Sequence, residues 1–301
     1  MKALIIINPK AGRKKEYHAA EFLRRALRQY RYESHILMTT APGNAERIIS
    51  SRADQYDLII CSGGDGTLNE VVNGLKSIHR PPPLSYIPSG TTNDFARGLG
   101  LSKDYRDAVN SIFADSRQSI DVGSANGRRF IYSATFGAFV SSSYLTPQKM
   151  KNRLGRLAYL IECIRELPSV KPYHMTITDD RGCTVCGEYA FGAVSNATSI
   201  GGFLHYSHSQ VDFSDGLHEV LLIRYPKSIF ELSAVIRSLV AGDYHANGIE
   251  RFKSSGLRFI CDDKPDWALD GEKFSSGREM SFNNIPCAVN IFVPDRFAAV
   301  S

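Results

Sequence analysis

The chain has little cysteine, a single tryptophan and no long apolar run. Six cysteines in 301 residues do not suggest a disulfide framework. No segment approaches the ~18 consecutive apolar residues of a membrane-spanning helix. The apolar run Ala3–Ile7, directly after Met1 and Lys2, is too short for the core of a signal peptide. These absences predict a reducing, cytoplasmic compartment, with any membrane contact being peripheral.

The composition that is present is typical of a folded protein. A hydrophobic share of 43% and a charged share of 22% allow a sizeable core without disulfide bonds. The formal charge of +5 is mildly basic. It suits an anionic partner such as a nucleotide phosphate or an acidic lipid headgroup, and is far from the charge excess of a nucleic-acid-binding protein. We therefore expect no nucleic-acid partner.

Strand and helix patterns alternate through the first third of the chain. Continuous apolar runs predict strands that are buried on both faces, and the helical spacing of apolar residues between them predicts helices. Strands separated by helices imply right-handed crossovers and a parallel sheet. The predicted strands are Ala3–Ile7, Ser34–Met38, Asp57–Cys61 and Leu84–Ile87, and the predicted helices are Glu16–Tyr30 and Ala45–Ala53.

From about Asp121 the pattern changes to strands separated by turns, which predicts an antiparallel sheet or sandwich. One predicted helix, Gln148–Leu167, interrupts this pattern. The last apolar run, Ala288–Val293, is compatible with a return to the first domain. The strands predicted for the second part are Phe130–Val140, Tyr173–Thr178, Glu188–Ser195, His218–Arg224, Leu257–Cys261 and Glu279–Phe282.

A glycine-rich turn, Ser62-Gly63-Gly64-Asp65-Gly66-Thr67-Leu68-Asn69-Glu70, follows the third predicted strand. Its three glycines allow a sharp turn and a close approach of the backbone to a ligand. Thr67 and Glu70 predict a capping box at the start of a helix, whose exposed amides suit phosphate oxygens. Asp65 would repel bare phosphate but would hold Mg²⁺ against it.

By shape alone, an ordinary strand-to-helix turn explains this segment equally well. Two familiar phosphate-binding motifs are excluded. The chain has no Gly-Lys pair, which a P-loop requires, and Asn69 stands where the Rossmann fingerprint has a glycine.

Two further polar loops follow predicted strands. Asn8-Pro9-Lys10-Ala11-Gly12 comes after the first strand, and Pro88-Ser89-Gly90-Thr91-Thr92-Asn93-Asp94 comes after the fourth. Parallel sheets bind ligands beyond the carboxyl ends of their strands. Three such loops at one edge therefore predict a binding site there.

Taken together, Asn8-Pro9 with Gly12, Gly63–Thr67 and Gly90–Arg97 resemble the catalytic domain of the diacylglycerol kinase family. That family includes sphingosine kinases and bacterial lipid kinases and is related to NAD kinase and phosphofructokinase. The resemblance covers nearly the whole chain in order. It continues through Asp121-Val122-Gly123, Lys151–Tyr159, Asp215-Gly216-Leu217 and Leu269-Asp270-Gly271-Glu272.

The resemblance implies a role for each matching residue. It implies a catalytic Mg²⁺ among Asp65, Asp94 and Asp121, partly through water, and a separate structural Mg²⁺ on Asp215 with main-chain oxygens near Asp212 and Leu217. At the phosphoryl acceptor it implies Asp270 and Glu272, one of them as general base. The implied ATP-binding residues are Asn8, Pro9, Lys10, Ala11, Gly12, Thr40, Gly63, Gly64, Asp65, Gly66, Thr67, Leu68, Asn69, Gly90, Thr91 and Asn93.

Simpler interpretations compete for several of these motifs. Asp270-Gly271 and Asp215-Gly216 are also strong hairpin-turn signals. The family context reverses that preference for Asp270, and less so for Asp215. The basic run Lys149–Arg156 is better explained as a solvated helix face than as a lipid contact.

The sequence thus predicts two domains. The first is a Rossmann-like parallel α/β nucleotide-binding domain of the NAD kinase and phosphofructokinase type, residues 1–122 with 287–301. The second is a mostly antiparallel β-sandwich for the lipid, residues 123–286. The predicted function is an ATP- and Mg²⁺-dependent kinase that phosphorylates a hydroxyl of a membrane lipid such as diacylglycerol, giving phosphatidic acid. A kinase for a soluble hydroxyl compound and a catalytically silent nucleotide sensor at the membrane stay open as alternatives, as do the identity of the lipid and a homodimeric state.

Overall fold

The computed structural model describes residues 1–9, 15–91, 93–137, 171–200, 204–206 and 211–294. The chain divides into two compact units. One comprises Met1–Val122 and the chain from Pro286, and the other comprises Gly123–Ile285. The predicted helix Gln148–Leu167 and the basic run within it lie outside the described residues.

The first unit is built on a parallel sheet in the order β2-β1-β3-β4, and Ile291 adds a parallel contact beside β4. β1, β3 and β4 are buried throughout except for Lys2, as expected of central strands that are covered on both faces. The strands are β1 Lys2–Ile7, β2 Glu33–Met38, β3 Leu58–Gly63 and β4 Leu84–Pro88. The helices are α1 Lys15–Gln29, α2 Asn44–Arg52, α3 Asp65–Gly74, α4 Asp94–Gly98 and α5 Tyr105–Phe113, with 3₁₀ turns at Ala53–Gln55 and Leu75–Ser77.

The register of this sheet brings three strand ends level with one another. Ile7 pairs with Ser62, and Gly63 pairs with Pro88. Leu23 of α1 packs in the apolar cluster on one face of the sheet. The loops after β1, β3 and β4 consequently begin at the same edge.

The second unit is antiparallel, with the strand order β16-β15-β7-β9-β8-β14-β17 and with β12 and β13 joined through β9. Its core centres on Trp267, whose ring lies 4.9 Å from Phe136 and 5.0 Å from Phe282. The helix α6 is Ile229–Ala241. Strands β5 and β17 each have residues in both units. The remaining described strands of the chain are β5 Arg117–Ala125, β6 Arg128–Phe130, β7 Ser133–Gly137, β8 Tyr173–Asp179, β9 Thr184–Ser195, β10 Ser199–Ile200, β11 Leu204–His205, β12 His218–Arg224, β13 Ile249–Ser254, β14 Gly256–Cys261, β15 Trp267–Leu269, β16 Glu272–Phe274 and β17 Glu279–Phe292.

The predicted fold class, a Rossmann-like α/β domain followed by an antiparallel sandwich, is confirmed. One strand prediction was wrong. Phe130–Val140 is interrupted after Phe130, because the next amides donate to a distant carboxylate that is described below. The two runs Glu279–Phe282 and Ala288–Val293 belong to one strand, which passes through Pro286 with Cys287 at a φ of 49°.

Helix α6 was missed by the sequence analysis. Ser228 caps its start by accepting from the Glu231 amide, and the Ser-x-x-Glu spacing was a signal readable from the sequence. None of the helices that the structure describes is long and apolar enough to cross a bilayer.

His218 is a buried histidine in the second unit. It is fully buried and stacks on Phe130 at 5.6 Å between ring centroids. Among the residues that the structure describes, neither of its ring nitrogens makes a hydrogen bond of good geometry. Burial lowers the pKa of His218 from 6.5 to about 4, although the Asn283 backbone and Asp215 act in the opposite direction.

This buried histidine predicts acid sensitivity. Between pH 6.5 and about 4 the unfolded chain binds a proton that the folded unit does not bind. Stability is therefore fully present above pH 6.5 and falls by about 3 kcal/mol as the pH drops toward 4. Urea unfolding between pH 7 and 4.5 measures the loss. His218→Phe keeps an aromatic ring without the titration, so its pH dependence should be shallower. An identical dependence in both proteins would contradict the assignment.

Candidate active site

Three loops of the first unit meet beyond the carboxyl ends of β1, β3 and β4. The Asn8 amide donates to the Ser62 carbonyl at 2.9 Å, and the Asn8 side chain donates to Thr67 Oγ1 at 2.9 Å. The Ser89 amide donates to the Gly63 carbonyl at 2.8 Å. These bonds bring the three predicted loops together.

The loops after β3 and β4 touch backbone to backbone at Gly64 and Gly90. A Cβ on Gly90 would lie 2.7 Å from the Gly64 Cα and 2.8 Å from Asn93 Oδ1. Asn93 holds this loop from a left-handed conformation, with a φ of 50°. Its Oδ1 accepts from the Gly90 amide at 3.0 Å, and its Nδ2 donates to the Gly90 carbonyl at 2.7 Å. Only glycine allows this approach.

The predicted capping box at Thr67 and Glu70 is wrong. Gly64 is the N-cap of α3, without a side-chain hydrogen bond to the cap. The Thr67 hydroxyl accepts from Asn8, and Glu70 instead accepts from the Gly43 and Ala45 amides at 2.7 and 2.9 Å. Both side chains thus bind residues outside α3 instead of capping it. Among the described residues, no side chain caps the start of α3, where the amides and the helix dipole favour an anion.

A buried acidic pair lies at the same edge. The Asp94 amide donates to Asp65 Oδ2 at 3.0 Å, and both side chains are buried. Arg97 lies 3.6 Å from the Asp94 carboxylate. The Tyr86 hydroxyl lies 3.4 Å from Asp65 Oδ1 and 3.3 Å from the Gly63 carbonyl.

Tyr86 is a site residue that the sequence analysis missed. Burial, followed by the nearby Asp65 carboxylate, raises the pKa of Tyr86 above its ordinary value. The hydroxyl therefore stays protonated and donates to the oxygens around it. A tyrosine within a predicted central strand gave no signal beyond packing.

The third predicted magnesium ligand, Asp121, is fully buried and accepts from the Cys287 amide at 2.8 Å. In the ranges that the structure describes, no three histidine, cysteine or carboxylate side chains are grouped to hold a metal ion. Asp65 and Asp94 form a close pair instead. Their hard oxygen donors fit Mg²⁺, which keeps several of its waters when it binds carboxylates.

The other predicted ATP-binding residues have varied surroundings. The Thr40 amide donates to Asn44 Oδ1 at 3.1 Å. Leu68 is fully buried, so its side chain belongs to the core. Asn69 accepts from the Asn73 side chain at 3.0 Å. Pro9 and Gly66 are half-buried, Thr91 is exposed, and Lys10, Ala11 and Gly12 lie outside the described residues.

In the second unit, Asp270 and Gly271 are the two-residue turn between β15 and β16, with φ values of 49° and 80°. Positive φ at both residues is typical of a type I′ hairpin. The Asp270 carboxylate accepts from the Ile131, Tyr132 and Ser133 amides at 2.7, 2.9 and 3.1 Å. These bonds interrupt the strand that was predicted across this segment.

Asp270 and Glu272 do not share a face. Asp270 is 5% exposed, whereas Glu272 is exposed on β16. The left-handed turn at Asp270 and Gly271 breaks the alternation of an extended strand between these two carboxylates.

Asp215 and Asp212, where the sequence predicts a structural Mg²⁺, make hydrogen bonds within their own turn. Asp215 Oδ1 accepts from the Leu217 amide at 3.0 Å, and Asp215 Oδ2 lies 2.8 Å from Lys253 Nζ. Asp212 Oδ1 accepts from the Ser214 amide. The structural Mg²⁺ on Asp215, with main-chain oxygens near Asp212 and Leu217, stays a prediction.

The chain is similar in sequence to proteins of one known family. A family profile, the diacylglycerol kinase catalytic domain, matches residues 2–125. A diacylglycerol kinase from Bacillus subtilis strain 168 is 35% identical over 90% of this chain and 89% of that protein. A diacylglycerol kinase from Staphylococcus aureus strain RF122 is 30% identical over 98% of this chain and 93% of that protein.

Solved structures show the same fold. A crystal structure from Bacillus anthracis strain Sterne, provisionally assigned as a diacylglycerol kinase, has a TM-score of 0.79 and 26% identity and covers 97% of both chains. An NAD kinase from Archaeoglobus fulgidus in complex with ATP shares the fold at a TM-score of 0.57 and 14% identity, over 99% of this chain and 95% of that one. The similarity to these relatives shows that the chain is a lipid kinase and belongs to the diacylglycerol kinase family.

Proposed function

We propose that this lipid kinase transfers the γ-phosphoryl group of ATP to a hydroxyl of a membrane lipid such as diacylglycerol, giving phosphatidic acid. One observation carries the proposal. Three loops meet backbone to backbone at the end of a parallel sheet, beside the start of α3 and the buried pair Asp65 and Asp94. Anionic phosphates suit that arrangement of amides and glycines.

The loops would bind the nucleotide mainly through backbone groups. Gly64 and Gly90 keep side chains away from the approach, and Asn93 fixes the second loop. Asn8 ties the first loop to α3 through Thr67. Phosphoryl transfer depends more on such positioning than on covalent chemistry, and a preorganised set of loops supplies it.

Asp65 and Asp94 would hold the magnesium ion, in part through water. When bound, Mg²⁺ neutralises charge on the phosphate oxygens. The Asp94 amide fixes one Asp65 oxygen, and the Tyr86 hydroxyl lies beside the other. The pair is thereby oriented before any ligand arrives.

Asp270 and Glu272 are the proposed residues at the acceptor hydroxyl, with Asp270 as the base and Glu272 as its partner or replacement. Three amides hold the Asp270 carboxylate in one orientation, as a positioned base requires. Glu272 is exposed to solvent. The two carboxylates are therefore distinguishable by experiment.

The test is a labelling reaction with γ-labelled ATP, Mg²⁺ and a total lipid extract. We expect label in an organic-phase product that comigrates with phosphatidic acid and increases when diacylglycerol is added. Asp65→Asn should abolish most of the labelling, because it removes charge from the acidic pair. Lys103→Gln, an exposed substitution, is the control. Label only in water-soluble products would favour a soluble acceptor, and the absence of any transfer would contradict the kinase assignment.

A further inference from the structure

Helix α6 carries large apolar side chains on its outer face. Phe230 is 84% exposed, Ile229 is 69% exposed and Val240 is 38% exposed. On the inner face of the helix, the apolar side chains of Leu232 and Val235 are buried. The start of the outer face is thus apolar at two adjacent residues that meet solvent, although the inner face already supplies the helix's packing.

The exposed residues Ile229 and Phe230 lie in the first turn of α6, which is held by side-chain hydrogen bonds. Ser228 Oγ accepts from the Glu231 amide at 3.2 Å, and Glu231 Oε2 accepts from the Lys227 amide at 2.7 Å. These two bonds fix the first turn, to which Ile229 and Phe230 belong. The two side chains are held outward by a fixed backbone.

The exposed charged groups around this apolar patch are mainly positive. Glu231, the only acidic residue of α6, is turned back to the helix start by its bond to the Lys227 amide. Arg237 lies on the exposed face and donates through Nε to the Ser233 carbonyl. Lys227 is exposed directly before the helix. The surface therefore combines bulky apolar groups with cations, which is the composition of an interfacial membrane helix.

The size of the patch argues against a protein partner. A helix of 13 residues is roughly 20 Å long and presents a face roughly 10 Å wide, about 200 Å². A stable protein interface buries about 800 Å² on each partner. Two protruding side chains at one end suit insertion into a soft surface better than a flat contact.

We propose that α6 docks the protein on lipid bilayers, with Ile229 and Phe230 inserted at the headgroup boundary and Lys227 and Arg237 directed at anionic headgroups. This inference rests on the proposed function, since a membrane lipid must be reached at a bilayer. It names a surface of contact that is separate from the phosphate loops and from Asp270.

The test is cosedimentation of the full chain with vesicles of phosphatidylcholine and phosphatidylglycerol. We expect the double variant Ile229→Ser, Phe230→Ser to bind about tenfold or more weakly, because two inserted apolar side chains are lost. Arg237→Gln should weaken binding only when phosphatidylglycerol is present. Ile260→Ser removes another exposed isoleucine, 42% exposed on β14, and should bind as the wild type does.

A kinase assay with dispersed dioctanoylglycerol separates docking from catalysis. The double variant should keep wild-type activity on that substrate and lose activity on vesicles. Vesicle binding through α6 without any lipid phosphorylation would uphold the docking surface and refute the proposed function. Undiminished vesicle binding by the double variant would overturn the docking proposal. A change in oligomeric state by light scattering, with vesicle binding intact, would overturn it in favour of a second copy.

Discussion

Asp270→Asn is expected to lower kcat by roughly 10²–10⁴-fold, with the affinity for Mg-ATP nearly unchanged. Asparagine keeps the size of the side chain but cannot accept the proton from the acceptor hydroxyl. The structure adds a second expectation. An amide NH₂ in place of one carboxylate oxygen would face a main-chain N–H from Ile131, Tyr132 or Ser133. The variant should therefore also lose about 1–3 kcal/mol of stability.

Glu272→Gln is the matched control for this change. Glu272 is exposed, so its replacement should alter stability by less than about 0.5 kcal/mol. Thermal unfolding gives the melting temperature of each variant. Steady-state kinetics on dispersed diacylglycerol and calorimetry with Mg-ATP are then measured below that temperature. A collapse of kcat in Glu272→Gln alone would make Glu272 the base and leave Asp270 a structural role. If both variants stay within a few-fold of wild type, neither residue is the base.

Gly90→Ala is expected to weaken Mg-ATP binding by about 100-fold while the protein stays folded. The added Cβ would meet the Gly64 Cα at 2.7 Å and Asn93 Oδ1 at 2.8 Å. A backbone atom cannot turn aside as a flexible side chain can, so the loops after β3 and β4 must separate. Losing one or two hydrogen bonds from loop amides to charged phosphate oxygens, at about 1.5–3 kcal/mol each, is enough for a loss of this size.

Calorimetry with Mg-ATP and thermal unfolding measure the two quantities that this prediction separates. Gly277→Ala is the control, because its added Cβ would meet no atom closer than 4.0 Å. Wild-type affinity in a folded Gly90→Ala protein would mean that the contact of these loops does not form the nucleotide site.

The parallel part of the fold was predictable because its signals are local. Continuous apolar runs predicted β1 and β4 to within one residue at each end. Parallel strands place their carboxyl ends at one edge, so the meeting of the loops at Asn8, Gly64 and Gly90 followed from topology. The roles of the individual loop residues stay predictions.

The second unit was less predictable because its decisive contacts are long-range. The Asp270 carboxylate binds amides 137 to 139 residues away along the chain, and these bonds interrupt the strand after Phe130. The sequence indicated both a turn and a functional carboxylate at Asp270-Gly271. The structure shows the turn, and the carboxylate's catalytic role stays a prediction.

By itself, the sequence determined the order of strands and helices in the first unit, the glycines at its loops and the family resemblance. Each of these depends on neighbouring residues or on motif spacing. The tertiary structure decided which partner each polar side chain takes. Thr67 binds Asn8 rather than capping α3, Tyr86 lies beside Asp65, and Lys253 pairs with Asp215. A polar group can be satisfied by several neighbours in sequence or in space, and only the packed chain brings the spatial ones within hydrogen-bond distance.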